Sequence, residues 1–138
     1  MRLWHQYLIP KLPRQQLLGQ HRECCALRGK GWGRPHSTVN YVFNHLPERL
    51  IAYHYLIMDE MERRGYKPNK IWDNCRWRGK TLGMDLSNDW ASKDIVEVWY
   101  GKAKFGEIDT IYPEHNEAYY QECIANLKAK GIYIEEDR

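Results

Sequence analysis

Apolar positions recur with helical spacing in three long stretches. Over residues 14–29 (RQQLLGQHRECCALRG), taken at 100° per residue, Leu17, Leu18, Cys24 and Cys25 share one side, with His21 between them. Gln15, Gly19, Arg22 and Ala26 share the opposite side, and Glu23 flanks them. Pro10 and Pro13 stop any earlier helix, and Pro13 suits the first turn of this one. A second helix is expected over 48–64, where Leu50, Ile51, Tyr53, His54, Ile57, Met58 and Met61 form the apolar set and Gly65 ends it. A third runs over 114–130, entered through Tyr112-Pro113-Glu114, with Tyr119, Tyr120, Cys123, Ile124 and Leu127 as its stripe and Gly131 as its stop.

Between these lie weaker signals. Residues 1–12 (MRLWHQYLIPKL) read as an extended N-terminal arm anchored by Leu3, Trp4, Tyr7, Leu8 and Ile9. Residues 29–37 (GKGWGRPHS) are a glycine-rich turn, after which Ser37 or Thr38 caps a short helix over 38–46. Periodicity breaks down over 66–112, which holds Trp72, Trp77, Trp90 and Trp99; Ile95 to Tyr100 fits a strand or a helix turn equally. The pattern predicts an all-α fold: one compact domain over 1–138, about three main helices, long aromatic-rich loops and an acidic tail over 132–138.

Composition adds a direction. Residues 1–34 hold Arg2, Lys11, Arg14, Arg22, Arg28, Lys30 and Arg34 against the single acid Glu23, so that a region of charge +6 sits in a chain of formal charge +3. Such an asymmetry fits a face for a polyanion. Six tryptophans and ten tyrosines supply either core or stacking surfaces for bases. The four cysteines form no C-x-x-C pair and are expected to be free thiols. The histidines fit no metal-ligand spacing, and Gly19 in mid-helix leaves room for a close helix contact or for a sugar to approach. No metal and no cofactor is expected. No apolar run is long enough to span a membrane and no signal peptide is evident, which predicts a cytoplasmic protein. The run Gly29-Lys30-Gly31-Trp32-Gly33-Arg34 could hold a phosphate through backbone N–H groups and Arg34.

The pattern Gln15-(x)6-Arg22-Glu23, on a first helix behind a short arm, resembles the pyrimidine-dimer DNA glycosylases of the phage endonuclease V type. Arg64-Gly65-Tyr66 and Tyr112-Pro113-Glu114-His115 are similar in order to two later segments of that family. The resemblance implies one glycosylase-like domain and a DNA-repair activity: glycosidic cleavage by an N-terminal amine that forms a Schiff base at the sugar C1′, then β-elimination at the abasic site. An α-amine suits that role, because its reference pKa of about 7.7–8.0 leaves a neutral fraction at pH 7. On this reading the catalytic groups are the Met1 α-amine, Glu23 for proton transfer and Arg22 for a phosphate or the displaced base. Nucleic-acid contacts fall to Arg2, Arg14, Gln15, Arg28, Lys30 and Arg34. The partner implied is damaged double-stranded DNA, with no protein partner. The chain departs from the phage pattern in four respects: bulky Arg2 follows Met1, so that Met1 is expected to be retained; Gln16 stands in place of His; Ala26 stands where a basic residue is usual; and the aromatic, basic end of the family has no counterpart after Gly131. The alternatives are a non-catalytic DNA- or RNA-binding protein on the same scaffold, and a glycosylase for a modified or alkylated base.

Overall fold

Proline and glycine set the ends of the two longest helices in the computed structural model, which describes residues 1–87 and 89–135. Helix α1, Arg14–Arg28, starts directly after Pro13 and stops at Gly29. A Cβ on Gly29 would stand 2.9 Å from the Arg78 carbonyl oxygen, so the close approach of the 76–79 segment requires glycine there. Helix α2, Pro47–Arg63, carries Pro47 in its first turn. It closes through Gly65 at φ +88° and a 2.8 Å bond from the Tyr66 N–H to the Met61 carbonyl.

The sequence pattern underestimated the helices. A single turn, α3, spans Gly79–Leu82, and a full helix, α4, spans Lys93–Lys104, where 95–100 read equally as strand or helix turn. Among the described residues there are therefore four helices of twelve residues or more, and the 66–112 region is not one long aromatic loop. Ser92 caps α4 by accepting the Ile95 N–H. Helix α5, Glu117–Ala129, starts three residues later than expected because Asn116, and not the Tyr-Pro pair, receives the Tyr119 N–H at 2.9 Å. The short helix near residue 40 is a 3-10 segment, Asn40–Asn44. Among the described residues there is no strand, only an isolated bridge between Trp77 and Met84, and no helix is long and apolar enough to cross a membrane.

Helix α2 packs against both α1 and α4. Its buried positions accordingly run almost around it: Leu50, Tyr53, Ile57 and Met61 enter the main core, while Ile51 joins Val96 of α4 with Cys75, Trp90 and Ala91 in a smaller one. The N-terminal arm is only partly extended. Gln6–Lys11 forms a 3-10 segment, and Leu3, Trp4, Leu8, Ile9 and Leu12 are buried in the main core, although Tyr7 is exposed. At about 1.5–3 kcal/mol for each large apolar side chain removed from water, the arm is a core element and not a loose strap. The other end of the chain covers it: Ile132 and Ile134 pack on the core and Lys11 donates to the Glu135 carbonyl at 2.7 Å. Residues 136–138 of the expected acidic tail lie outside the described residues.

Candidate active site

Each of the first four carbonyls of the chain receives a donor from a different side chain. The Thr38 hydroxyl donates to the Met1 carbonyl, the Gln20 amide to that of Arg2 at 2.9 Å, the Tyr119 hydroxyl to that of Leu3 and the Tyr53 hydroxyl to that of Trp4 at 2.6 Å. Gln20 lies on α1, Tyr53 on α2 and Tyr119 on α5, so three helices converge on an extended segment that has no strand partner. A backbone outside helix or sheet must find such partners when buried.

Gln20 is the centre of this arrangement. It is fully buried, and all its hydrogen-bonding capacity is used. Its oxygen accepts the Trp4 N–H at 2.7 Å and lies 2.9 Å from the Tyr53 hydroxyl, whose one proton it shares with the Trp4 carbonyl. Its amide nitrogen donates to the Arg2 carbonyl and, at 3.0 Å, to Oε2 of Glu23. The backbone N–H of Arg2 faces the same carboxylate and favours its charged form. The carboxylate is thereby tied to the first residues of the arm, with the positive charges of the Met1 amine, Lys130 and Arg22 close by. Burial raises the Glu23 pKa, and those charges with the Arg2 N–H pull it only part of the way back. Lys130 itself sits over the Trp4 ring, 5.2 Å from its centre.

The exposed face of α1 has the composition the spacing predicted. Gln15, Arg22 and Ala26 are exposed, and Glu23 is half-buried at their edge. Above Gly19 the space is open: a Cβ there would meet only the Arg22 guanidinium, at 3.8 Å. The glycine therefore serves no helix contact.

The predicted nucleic-acid contacts divide. Arg14, Lys30 and Arg34 are exposed with Gln15; Arg14 lies over the Tyr66 ring and Arg34 donates to the Lys30 carbonyl. Arg2 is instead turned inward, its guanidinium 2.9 Å from Glu122 Oε2 and stacked over Tyr119, where it anchors the arm to α5. Arg28 contradicts the expectation outright. It is completely buried and donates to the carbonyls of Trp72, Asn74 and Trp77 at 2.9, 2.8 and 3.3 Å. At 100° per residue, position 28 falls on the same side as Leu17, Gln20 and Cys24, which is the packing side. The glycine-rich turn does not present a phosphate cradle either: the N–H groups of Gly29, Gly31, Trp32 and Arg34 all bond to carbonyls within the turn and the end of α1.

The structure also gathers His21, Cys25 and His54, whose ligand atoms lie within 4.8 Å of one another. Their hydrogen bonds define the tautomers. Arg28 Nη1 donates to His54 Nδ1 at 3.0 Å, so the proton of this ring is on Nε2 and is donated to His21 Nδ1 at 2.8 Å. Nε2 of His54 thus has no lone pair to offer a cation in this arrangement. Burial lowers the pKa of both histidines and pushes the Cys25 thiol up to about 11. All four cysteines are free.

A family model described as pyrimidine dimer DNA glycosylase matches residues 1–74. The chain belongs to that family. The match takes in the arm, α1, α2 and the glycine-rich turn, so every group around Glu23 except Tyr119, Glu122 and Lys130 lies within it. Neither the curated proteins nor the solved structures include a match. Helical spacing put Arg22 on the exposed face of α1 with Glu23 at its edge, and the family resemblance alone gave them a role; Gln20, Tyr53 and Thr38, which bond to the arm, were not singled out. A signal for Gln20 was present: a polar residue at helical spacing inside the stripe Leu17–Gln20–Cys24–Leu27, three positions before the one acid.

Proposed function

We propose that the protein is a DNA-repair glycosylase with abasic-site lyase activity, acting on pyrimidine dimers or a related lesion, with the Met1 α-amine as nucleophile. The observation that carries this reading is the bonding of the arm: four pinned carbonyls hold the start of the chain against Glu23. Fixing a nucleophile beside a proton-transfer group removes the orientational cost of bringing them together at each turnover.

The amine nitrogen bonds to C1′ while the C1′–N1 bond to the base breaks, and the base leaves with a proton. Ring opening then gives the imine. Glu23 has a raised pKa and so holds a proton to higher pH than a free carboxyl does; it can protonate the ring oxygen and afterwards, as carboxylate, take the C2′ proton. Loss of that proton expels the 3′ phosphate and nicks the strand. Arg22, exposed one position before Glu23, is placed to hold a phosphate or the displaced base. The lesion has to be turned out of the stack to reach this site, which damage makes cheaper.

The test is borohydride trapping of untagged protein on duplexes that carry an abasic site or a thymine dimer, with the linked peptide mapped by mass spectrometry. The expected result is an adduct on both at Met1, with the dimer adduct lost in Glu23→Gln. An adduct on the abasic duplex alone would assign a lyase or another lesion. No adduct on either would overturn the amine mechanism in favour of a non-catalytic DNA-binding protein.

A further inference from the structure

Beyond residue 74 the chain returns to α1. The 76–81 segment lies against the C-terminal end of α1: Arg78 donates through Nε to the Arg28 carbonyl at 2.9 Å and through Nη2 to that of Gly29 at 3.3 Å. Its guanidinium is stacked on Trp90, 3.7 Å from the ring centre. Between this segment and the glycine-rich turn is a cavity of about 320 Å³. Ala26, Gly29, Lys30 and Gly31 form one wall, Trp72 the second, and Arg78 to Thr81 the third. No acidic residue lines it. Lys30 and Lys80 are both exposed, and neither ammonium has an ion-pair partner among the described residues.

The first wall depends on close backbone approach at two glycines. A Cβ on Gly31 would stand 2.8 Å from the Ala26 carbonyl oxygen, and one on Gly29 would meet the Arg78 carbonyl at 2.9 Å. The glycines are thus explained by packing and leave the anion-binding capacity to side chains. The cavity lies at the end of the exposed stripe Gln15–Gly19–Arg22–Ala26. Five helical steps take the chain from Glu23 to Arg28, about 7.5 Å at 1.5 Å each, or roughly two nucleotides at 3.4 Å of axis each, and Lys30 follows two residues past the helix end.

We propose that this cavity is a second backbone subsite, in which Lys30 and Lys80 hold two phosphodiesters of the strand whose lesion lies at Glu23. The proposal rests on the DNA-repair reading above, and it assigns to the segment outside the family match a part of the nucleic-acid track. Arg78 and Trp72 form its rigid walls; the two lysines supply the charge.

The test is fluorescence anisotropy of binding to a duplex bearing a tetrahydrofuran abasic analogue, which cannot form a Schiff base, between 50 and 200 mM KCl. Wild type is compared with Lys30→Ala/Lys80→Ala and with Lys30→Arg/Lys80→Arg. At about 0.9 per neutralised phosphate, the alanine pair should flatten the slope of log K against log salt by about 1.8 and weaken binding up to about 60-fold at 100 mM. The arginine pair should keep the wild-type slope. A slope unchanged in the alanine pair, or lost equally in the arginine pair, overturns the subsite, as does a wild type that does not bind. Borohydride trapping on the same preparations separates the two ideas. An altered slope without any adduct keeps the subsite and removes the glycosylase; an adduct with an unaltered slope does the reverse.

Discussion

Replacing Gln20 by Glu changes one NH2 group into an oxygen and leaves the side-chain shape intact. It converts the donor that sits 3.0 Å from Glu23 Oε2 into a second carboxyl. Two ionised carboxylates about 4 Å apart repel by about 4 kcal/mol at an effective dielectric of 20. The Met1 amine, Lys130 and Arg22 offset part of this, which leaves about 2–4 kcal/mol. The folded variant avoids the repulsion by keeping one proton in the pair. Its unfolded chain releases that proton above about pH 4.3, so stability is retained below that pH and is lost as pH rises towards the titration of the pair. A single O–H also replaces two N–H donations and leaves the Arg2 carbonyl without its partner, a loss of about 1 kcal/mol at any pH. For a chain of this size about 1 kcal/mol corresponds to roughly 3–5 °C in Tm. Gln20→Glu should therefore melt about 5 °C below wild type at pH 4.5 and about 10–20 °C below it at pH 8. Gln20→Leu, which cannot titrate, should show a deficit constant with pH. The pH dependence of trapping should move to higher pH in Gln20→Glu only, because the shared proton must leave before Glu23 can act as base. A Tm difference in Gln20→Glu that does not change with pH would mean that Gln20 and Glu23 are not in contact, and the account of the site would fail with it.

Two further substitutions test other parts of the arrangement. Arg28→Met removes a buried guanidinium that satisfies three carbonyls and His54, and should destabilise the protein by about 3–5 kcal/mol while leaving the salt dependence of DNA binding unaltered; melting curves and the binding slope together distinguish this from a phosphate contact. Glu23 has a folded pKa above its unfolded one, so its contribution to stability is complete below the unfolded value and is lost as pH rises through the folded value. Glu23→Gln lacks that loss, and its Tm relative to wild type should increase between pH 4 and pH 7 as trapping of the dimer duplex disappears.

What the sequence made legible was whatever one helix face can carry. The exposed stripe of α1, the edge position of Glu23 and the proline and glycine ends of α1 and α2 follow from a 3.6-residue period. Helix α4 was illegible because only Val96 is fully buried while Ile95 and Val98 are exposed, so its apolar positions do not mark an inner face. Arg28 was misread for the opposite reason. Its charge was weighed above its angular position, although the angle places it with Leu17 and Cys24. The links from Gln20 to the arm, from Arg28 to the 72–77 loop and from His21 to His54 join residues 16 to 49 positions apart, and no local period encodes them.

The departure of this chain from the phage pattern is itself absorbed by the same contacts. Arg2 has its side chain turned away to Glu122 and Tyr119, its N–H facing Glu23 and its carbonyl on Gln20. The residue after Met1 is therefore an anchor with nothing left over for chemistry. Met1 stands one peptide unit outward of Arg2, about 3.8 Å between Cα atoms. Its own carbonyl is held by Thr38, from the turn that follows α1. Met1 thus has a partner for its carbonyl, and the charge of its amine is near enough to Glu23 to pull the pKa of that carboxyl down.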